Sequence, residues 1–349
     1  MVKHAMDLSI AKYLSFPQAS AHQGCSMYKK RKIALVIPAY NEEKLIKPTL
    51  EAVPKTVDRI YVVNDCSTDN MVKVVTAIAR RDRRITLISH KQNMGVGQAI
   101  ITGYKRAAKD GNDIAVVIGG DNQMDLRDLP NFLEPICRGE ADYVKGNRFM
   151  MNKRSVLGNA FNDMPSKRFF GNAILSLITK FSSGYWKIFD SQDGYTAITK
   201  EAIETIDWDR YAWKGYGYVG DWLVLFNVYD LKVKDVPRRA IYLPGERQSQ
   251  IKIGRYIARV LPRMIARFLW RLKMKYVYRN FHPVVLCYLA SFILIPLGAI
   301  IGIWMTATRI SGGVITGSTA VLTALLIITG FQSLLFAILF DMQLNEKLN

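Results

Sequence analysis

The segment DIAVVIGGDNQMD, residues 113–125, decides how the rest of the chain is read. A run of mostly β-branched residues stops at Gly119 and Gly120 and then presents Asp121 and Asp125. In an open α/β sheet, ligands bind beyond the carboxyl ends of the strands, which is where these acids fall. Asp125 also reads as the cap of a following helix, because a short carboxylate satisfies the first free backbone N–H groups of a helix. Asp121 has to be judged from the surrounding pattern.

Toward the amino terminus, short apolar runs alternate with helical stretches. The strands are IALVIPAY (33–40), RIYVVND (59–65) and RITLISH (84–90), separated by helical patterns over 42–53 and 69–80 and followed by one over 96–108. Strands apolar on both faces, joined by helices, predict a parallel sheet covered on both sides. Their ends then line one crevice with Pro38, Tyr40, Asn41 and Glu42, with Asn64, Asp65, Ser67 and Asp69, and with Gly119 to Asp121. No G-x-G-x-x-G follows the first strand, so a Rossmann dinucleotide site is excluded.

Toward the carboxyl terminus the composition changes. No charged side chain occurs from Pro283 to Thr308 or from Ile310 to Phe340. As a helix the first run spans about 39 Å, enough to cross a hydrocarbon core of about 30 Å. Two transmembrane helices, at about 283–307 and 315–340, are expected, turned back on each other through SGGVITGS. No acid lies between Glu246 and Asp341, whereas Lys252, Arg255, Arg259, Arg263, Arg267, Arg271, Lys273, Lys275 and Arg279 crowd the approach to the first span. Such a charge bias marks the cytosolic side.

Those cations supply much of the formal net charge of +19. Arginines recurring every fourth residue drift about 40° per step around a helix, and Pro262 is expected to break the helix in two. Each half would lay a basic face on anionic membrane lipid. That setting accounts for the positive charge without nucleic acid. The first thirty residues lack the continuous apolar core of a secretory signal. Cys25, Cys66, Cys137 and Cys287 show no metal-ligand or disulfide spacing. The expected division is an extension over 1–29, a catalytic domain over 30–250, basic interfacial helices over 251–280 and the paired spans with a short tail over 281–349.

VIPAYNEE, VVNDCSTDN, NMGVGQAIITG and GDNQMD stand in the order and roughly the spacing of family 2 glycosyltransferases with the GT-A fold. With DYVKGNRF and the terminal hairpin, residues 31–250 most resemble the dolichol-phosphate mannose synthase and polyprenyl-phosphate glycosyltransferase group. The resemblance implies a mixed, mostly parallel Rossmann-like sheet. It also implies transfer of one sugar, with inversion, from a nucleoside diphosphate sugar (GDP-mannose or a UDP-hexose) to a polyprenyl or dolichyl phosphate at the cytosolic face.

Carried over by position, Pro38, Tyr40, Glu42, Asp65, Gly97, Asp121 and Arg247 would bind the donor. Asp121 and Gln123 would hold a divalent cation, Mg²⁺ or Mn²⁺, with Gly119 standing where the family often has a first acid. Arg148, Lys167 and Arg168 are candidates for the acceptor phosphate. Asp190 and Asp193, in FDSQDGYTAI, are candidate acceptor-side groups, although Thr196 replaces the arginine usual there. Asp221 stands where many relatives carry a general base, which a phosphate acceptor does not need, so it also reads as structural. Asp121, Arg148, Asp193 and Asp221 thus form the candidate catalytic set. Two other functions stay open: a processive polysaccharide synthase, for which the chain offers only RFLWR and two spans, and a non-catalytic membrane scaffold that binds nucleotide sugar. A second copy of the chain is a further candidate partner.

Overall fold

The computed structural model describes residues 28–149, 166–239 and 253–348, with side chains omitted over 166–170 and 253–259. The expected alternation is present. β1 (Ile33–Ala39), α1 (Ile46–Glu51), β2 (Arg59–Asn64), α2 (Met71–Ala79), β3 (Ile85–Ser89), α3 (Val96–Lys109) and β4 (Ile114–Val117) follow one another. Then come α4 (Leu129–Cys137), β5 (Tyr143–Asn147), α5 (Ser166–Ser183), β6 (Thr196–Thr199), α6 (Lys200–Thr205), α7 (Trp208–Tyr211), α8 (Tyr218–Val228) and β7 (Val233–Pro237).

The strands form one seven-stranded sheet in the order β3-β2-β1-β4-β6-β5-β7. β6 pairs antiparallel with both β4 and β5, and every other pairing is parallel. The sheet is therefore mixed and mostly parallel, as the fold class requires. Its two faces are buried separately. Ile33, Leu35 and Ile37 meet Ile46, Leu50, Val75 and Phe132 on one side. Ala34 and Val36 meet Ile100, Tyr104, Trp222 and Phe226 on the other. This two-sided burial explains why β1 and β2 read as continuous apolar runs.

The antiparallel course of β6 positions the site. Its amino end lies at the same edge as the carboxyl ends of the other strands, so the segment leading into it, 190–195, arrives beside the residues that follow β4, β5 and β7.

Beyond β7 lie α9 (Ile253–Lys273), a π-helical turn over Met274–Arg279, and then α10 (Val284–Ile310) and α11 (Gly317–Leu344). α10 and α11, of 27 and 28 residues, are long and apolar enough to cross a membrane, and most of their side chains are uncovered by the rest of the chain. Such a surface belongs in hydrocarbon. α10 and α11 are thus two candidate membrane spans, packed side by side.

α9 corrects two expectations. It runs unbroken through Pro262. Its arginines also turn inward. Arg263 and Arg267 bond Asp221 on α8, and Arg271 bonds Asp341 at the end of α11. Anchored directly beyond Pro262 by Arg263 and Arg267, the helix tolerates the one hydrogen bond that proline removes. The outward face carries Leu261, Ile265 and Leu269, all exposed, and the neighbouring α5 exposes Ile174, Leu177 and Phe181. Arg255 and Arg259 have side chains outside the described ones.

Candidate active site

The loops after β1, β2 and β4 are braced against one another. Asn41 takes a positive φ of 57°, and its side-chain oxygen accepts from Thr68 N at 2.8 Å, while Asn41 N donates to Ser67 Oγ at 3.0 Å. Asp69 accepts from Glu43 N at 2.9 Å, and Glu43 accepts from Asn70 N at 3.0 Å. Tyr40 remains 47% exposed at the rim, with Pro38 half-buried behind it. Glu42 lies against Gly120, where a Cβ would sit 3.5 Å from its Cγ. The three acid-bearing loops therefore form one rigid edge.

Asp65 is spent on building that edge. Its two oxygens accept from Met94 N and Gly95 N at 2.9 and 2.8 Å, and His90 Nδ1 lies 2.8 Å away, with His90 Nε2 reaching Thr102. The His90 contact was not foreseen from the sequence. Gly97 is corrected. The backbone that comes close there is the chain's own, since a Cβ on Gly97 would stand 2.7 Å from Trp213 O and 2.8 Å from Lys214 O. Lys214 O also accepts Gln98 N at 3.1 Å, so one of the first N–H groups of α3 is taken by the chain itself.

Asp121 occupies the centre of the edge. Gln123 N donates to its Oδ1 at 3.2 Å, and it makes no salt bridge among the described residues. Burial pushes its pKa up, opposed by backbone hydrogen bonds and the nearby charge of Arg238. No three His, Cys, Asp or Glu side chains gather into a metal cluster among the described residues. A half-buried carboxylate with no salt bridge among the described residues nevertheless fits a cation that takes one carboxylate and completes its shell with phosphate and water. Asp125 is the cap anticipated as its alternative, accepting Arg127 N at 2.9 Å.

Next to Asp121 lies a chain of alternating charges. Arg148 grips Asp190 through Nε at 2.7 Å and Nη2 at 2.8 Å, and its Nε stands 3.7 Å from Asp193. Arg238 Nε donates to Asp193 at 2.5 Å, and its Nη1 reaches the carbonyl of Gln123 at 3.2 Å. Burial alone would raise the pKa of Asp190, but the charge and hydrogen bonds of Arg148 hold it well below the usual carboxylate range. Arg148 and Asp193 are thus brought together at the crevice, each already engaged. Arg238 was missed from the sequence. The only signal for it was a basic pair directly after Pro237 at a strand end.

Asp221 is corrected. It is buried on α8, accepts Arg263 Nε at 2.9 Å and Arg267 Nε and Nη2 at 2.8 and 2.6 Å, and faces α9. A carboxylate held by two guanidinium groups is a helix clamp, not an available base. Arg263 also stacks over Trp213 with its Cζ 3.3 Å from the ring centroid. Arg247 lies outside the described residues, and so do the side chains of Lys167 and Arg168.

An α/β domain with acids gathered at the carboxyl ends of its strands, followed by two membrane-length helices, is the arrangement set against known proteins. The model of glycosyl transferase family 2 matches residues 34–207. The UDP-N-acetylglucosamine–dolichyl-phosphate N-acetylglucosaminyltransferase of Methanococcus voltae is 33% identical over 223 residues, 60% of this chain and 86% of that one. The polyprenol monophosphomannose synthase of Mycolicibacterium smegmatis is 24% identical over 63% of this chain and 81% of its own length. Among solved structures, glucosyl-3-phosphoglycerate synthase from Mycobacterium tuberculosis matches with a TM-score of 0.49 at 19% identity, over 70% of this chain and 81% of that one. The chain belongs to glycosyl transferase family 2.

Proposed function

We propose that the chain transfers one sugar from a nucleoside diphosphate sugar, GDP-mannose or a UDP-hexose, to the phosphate of a polyprenyl or dolichyl phosphate at the cytosolic membrane face. The observation that carries this reading is Asp121, a half-buried carboxylate without a salt bridge among the described residues, at a strand edge tied to two membrane-length helices. The acceptor class is supported by the Methanococcus voltae relative, whose name specifies dolichyl phosphate. The cytosolic orientation is supported by the cations before α10.

Asp121, with Gln123 beside it, would hold Mg²⁺ or Mn²⁺, which when bound supplies positive charge for the departing diphosphate. Pro38, Tyr40 and Glu42 would flank the nucleotide base and ribose, with Asp65 fixing the Met94–Gly95 turn. Arg148 would orient the acceptor phosphate, which is already anionic near neutral pH and attacks the anomeric carbon without a general base. The nucleoside diphosphate leaves from the opposite side, and the anomeric configuration inverts. The domain would meet the leaflet through Leu261, Ile265 and Leu269, since Arg263, Arg267 and Arg271 are occupied.

The test is a panel of nucleoside diphosphate sugars incubated with purified protein, Mn²⁺ and polyprenyl phosphate, with lipid-linked product detected by mass and Asp121→Asn as control. The expected result is one productive donor and loss of product in the variant. Absence of lipid-linked product with every donor refutes the reading.

A further inference from the structure

Two hydrogen bonds from other elements reach the loop that presents Asp121. Thr49 Oγ1 donates to Gly120 O at 3.2 Å on one side, and Arg238 Nη1 donates to Gln123 O at 3.2 Å on the other. Asn122, between them, takes a positive φ of 55°, a left-handed conformation that asparagine adopts more readily than most residues. The Thr49 anchor comes from α1. The Arg238 anchor comes from the end of β7, across the β6 and β5 strands.

Arg238 is itself built in. Its side chain is 6% exposed, and it bridges three groups: the Asp193 carboxylate, the Gln123 carbonyl and, at 3.1 Å, the carbonyl of Arg239. Asp193 is in turn oriented by Tyr195 N at 2.9 Å and lies 3.7 Å from Arg148. The bridge also demands space from β5. A Cβ at Gly146 would stand 3.0 and 3.1 Å from the Arg238 stem and 3.1 Å from the Asp193 carboxyl carbon. The pair and the glycine are mutually fitted, so this is a dedicated brace between three elements of the crevice.

We propose that Arg238 is a positioning residue for the donor diphosphate site: anchored by Asp193, it fixes the Gln123 carbonyl and thereby aims the Asp121 carboxylate at a divalent cation. This rests on the metal-assisted reading of Asp121 given above. It predicts that the brace sets cation and donor affinity more than acceptor affinity. Residues that orient metal ligands from behind alter metal affinity by about 10- to 100-fold when removed.

The test uses the full chain in detergent and reads Mn²⁺ binding directly, from the free-ion paramagnetic resonance signal, with and without UDP and with no acceptor present. Arg238→Met should raise the Mn²⁺ dissociation constant by about 10- to 100-fold. It should raise the donor KM while leaving the acceptor KM within a factor of about two, and Arg238→Lys should recover part of the loss. Because Arg238→Met leaves the buried Asp193 with only the more distant Arg148 as a cationic neighbour, a second variant, Arg238→Met with Asp193→Asn, removes both charges of the brace. Continued weak Mn²⁺ binding in that variant supports positioning. Return of wild-type Mn²⁺ affinity in it, or unaltered Mn²⁺ affinity in Arg238→Met, overturns the proposal. If wild type binds Mn²⁺ with UDP yet makes no lipid-linked sugar, the functional reading fails while the brace is still judged by the binding data.

Discussion

Arg271 and Asp341, seventy residues apart in sequence, face each other through hydrogen bonds of 2.9 and 2.8 Å with neither side chain exposed. The pair ties three bodies together. Arg271 also donates to Ser182 O at 2.9 Å at the end of α5, and Tyr276 Oη donates to Asp341 at 2.6 Å. Asn345 carries the network on to Asn227 of α8 and to Lys275. A buried pair gains little over an apolar replacement, but breaking it by removing one partner is expensive. Arg271→Met should therefore destabilise the protein by about 3–5 kcal/mol. Arg271→Met with Asp341→Leu should recover most of that loss. Thermal unfolding in detergent checks it, and equal melting temperatures for the single and double variants would show that the charge pairing is unimportant.

The clamp at Asp221 gives a second prediction. If its carboxylate serves Arg263 and Arg267, then Asp221→Asn should lower the melting temperature while leaving the pH dependence of kcat for a phosphate acceptor unchanged. A general base would behave oppositely, because removing it lowers kcat by about 10²–10⁴-fold and flattens its limb of the profile. Measuring kcat against pH alongside thermal unfolding distinguishes the two. A kcat loss of that size in a variant as stable as wild type would return Asp221 to the chemistry.

What the sequence disclosed, and what it hid, follows from the range of the interactions. The strands at 33–39, 59–64, 85–89 and 114–117 were legible because two-sided burial makes them uniformly apolar. The spans were legible because lipid excludes charge. The partners of the arginines were not. A count of nearby acids leaves Arg263 and Arg267 unmatched, yet folding brings Asp221 to them from 42 and 46 residues away. The packing at Gly97 was hidden for a related reason: a glycine reports that something comes close, but not that it is the backbone at Trp213–Lys214. Arg238 was invisible because only the reversal of β6 places Asp193 beside it.

The Arg148–Asp190 pair fixes a pH dependence. Arg148 holds the pKa of Asp190 below its ordinary value of 3.8 against the upward push of burial. A carboxylate depressed on folding contributes stability above its unfolded pKa and loses it as pH falls through the folded value. Asp190→Asn should therefore cost most at neutral pH, and the gap to wild type should narrow only below pH 3.8. Urea unfolding at a series of pH values measures the gap. A gap that widens on acidification would mean that Asp190 is held protonated instead.

The last prediction concerns how the domain meets the membrane. α9 turns Arg263, Arg267 and Arg271 into the protein and leaves Leu261, Ile265 and Leu269 exposed, beside Ile174, Leu177 and Phe181 of α5. The helix that carries this surface packs on the first span, with Phe268 edge-on to Tyr288 of α10 at 5.2 Å. Full burial of each such side chain in lipid contributes about 1.5–3 kcal/mol. Contact of this kind does not depend on the Debye length, which shrinks from about 10 Å at 0.1 M salt to about 3 Å at 1 M. Replacing Leu261, Ile265 and Leu269 together by serine should accordingly lower turnover of vesicle-borne acceptor while leaving Mn²⁺ and donor binding intact, and α10 and α11 should keep the protein in the membrane. Wild-type turnover should vary little with salt or with the anionic lipid content of the vesicle. A fluorophore attached through Ile265→Cys should report an apolar surrounding in vesicles of neutral lipid. Water-like emission there, together with turnover that collapses at high salt, would mean that charge, not the apolar stripe, brings the site to its acceptor.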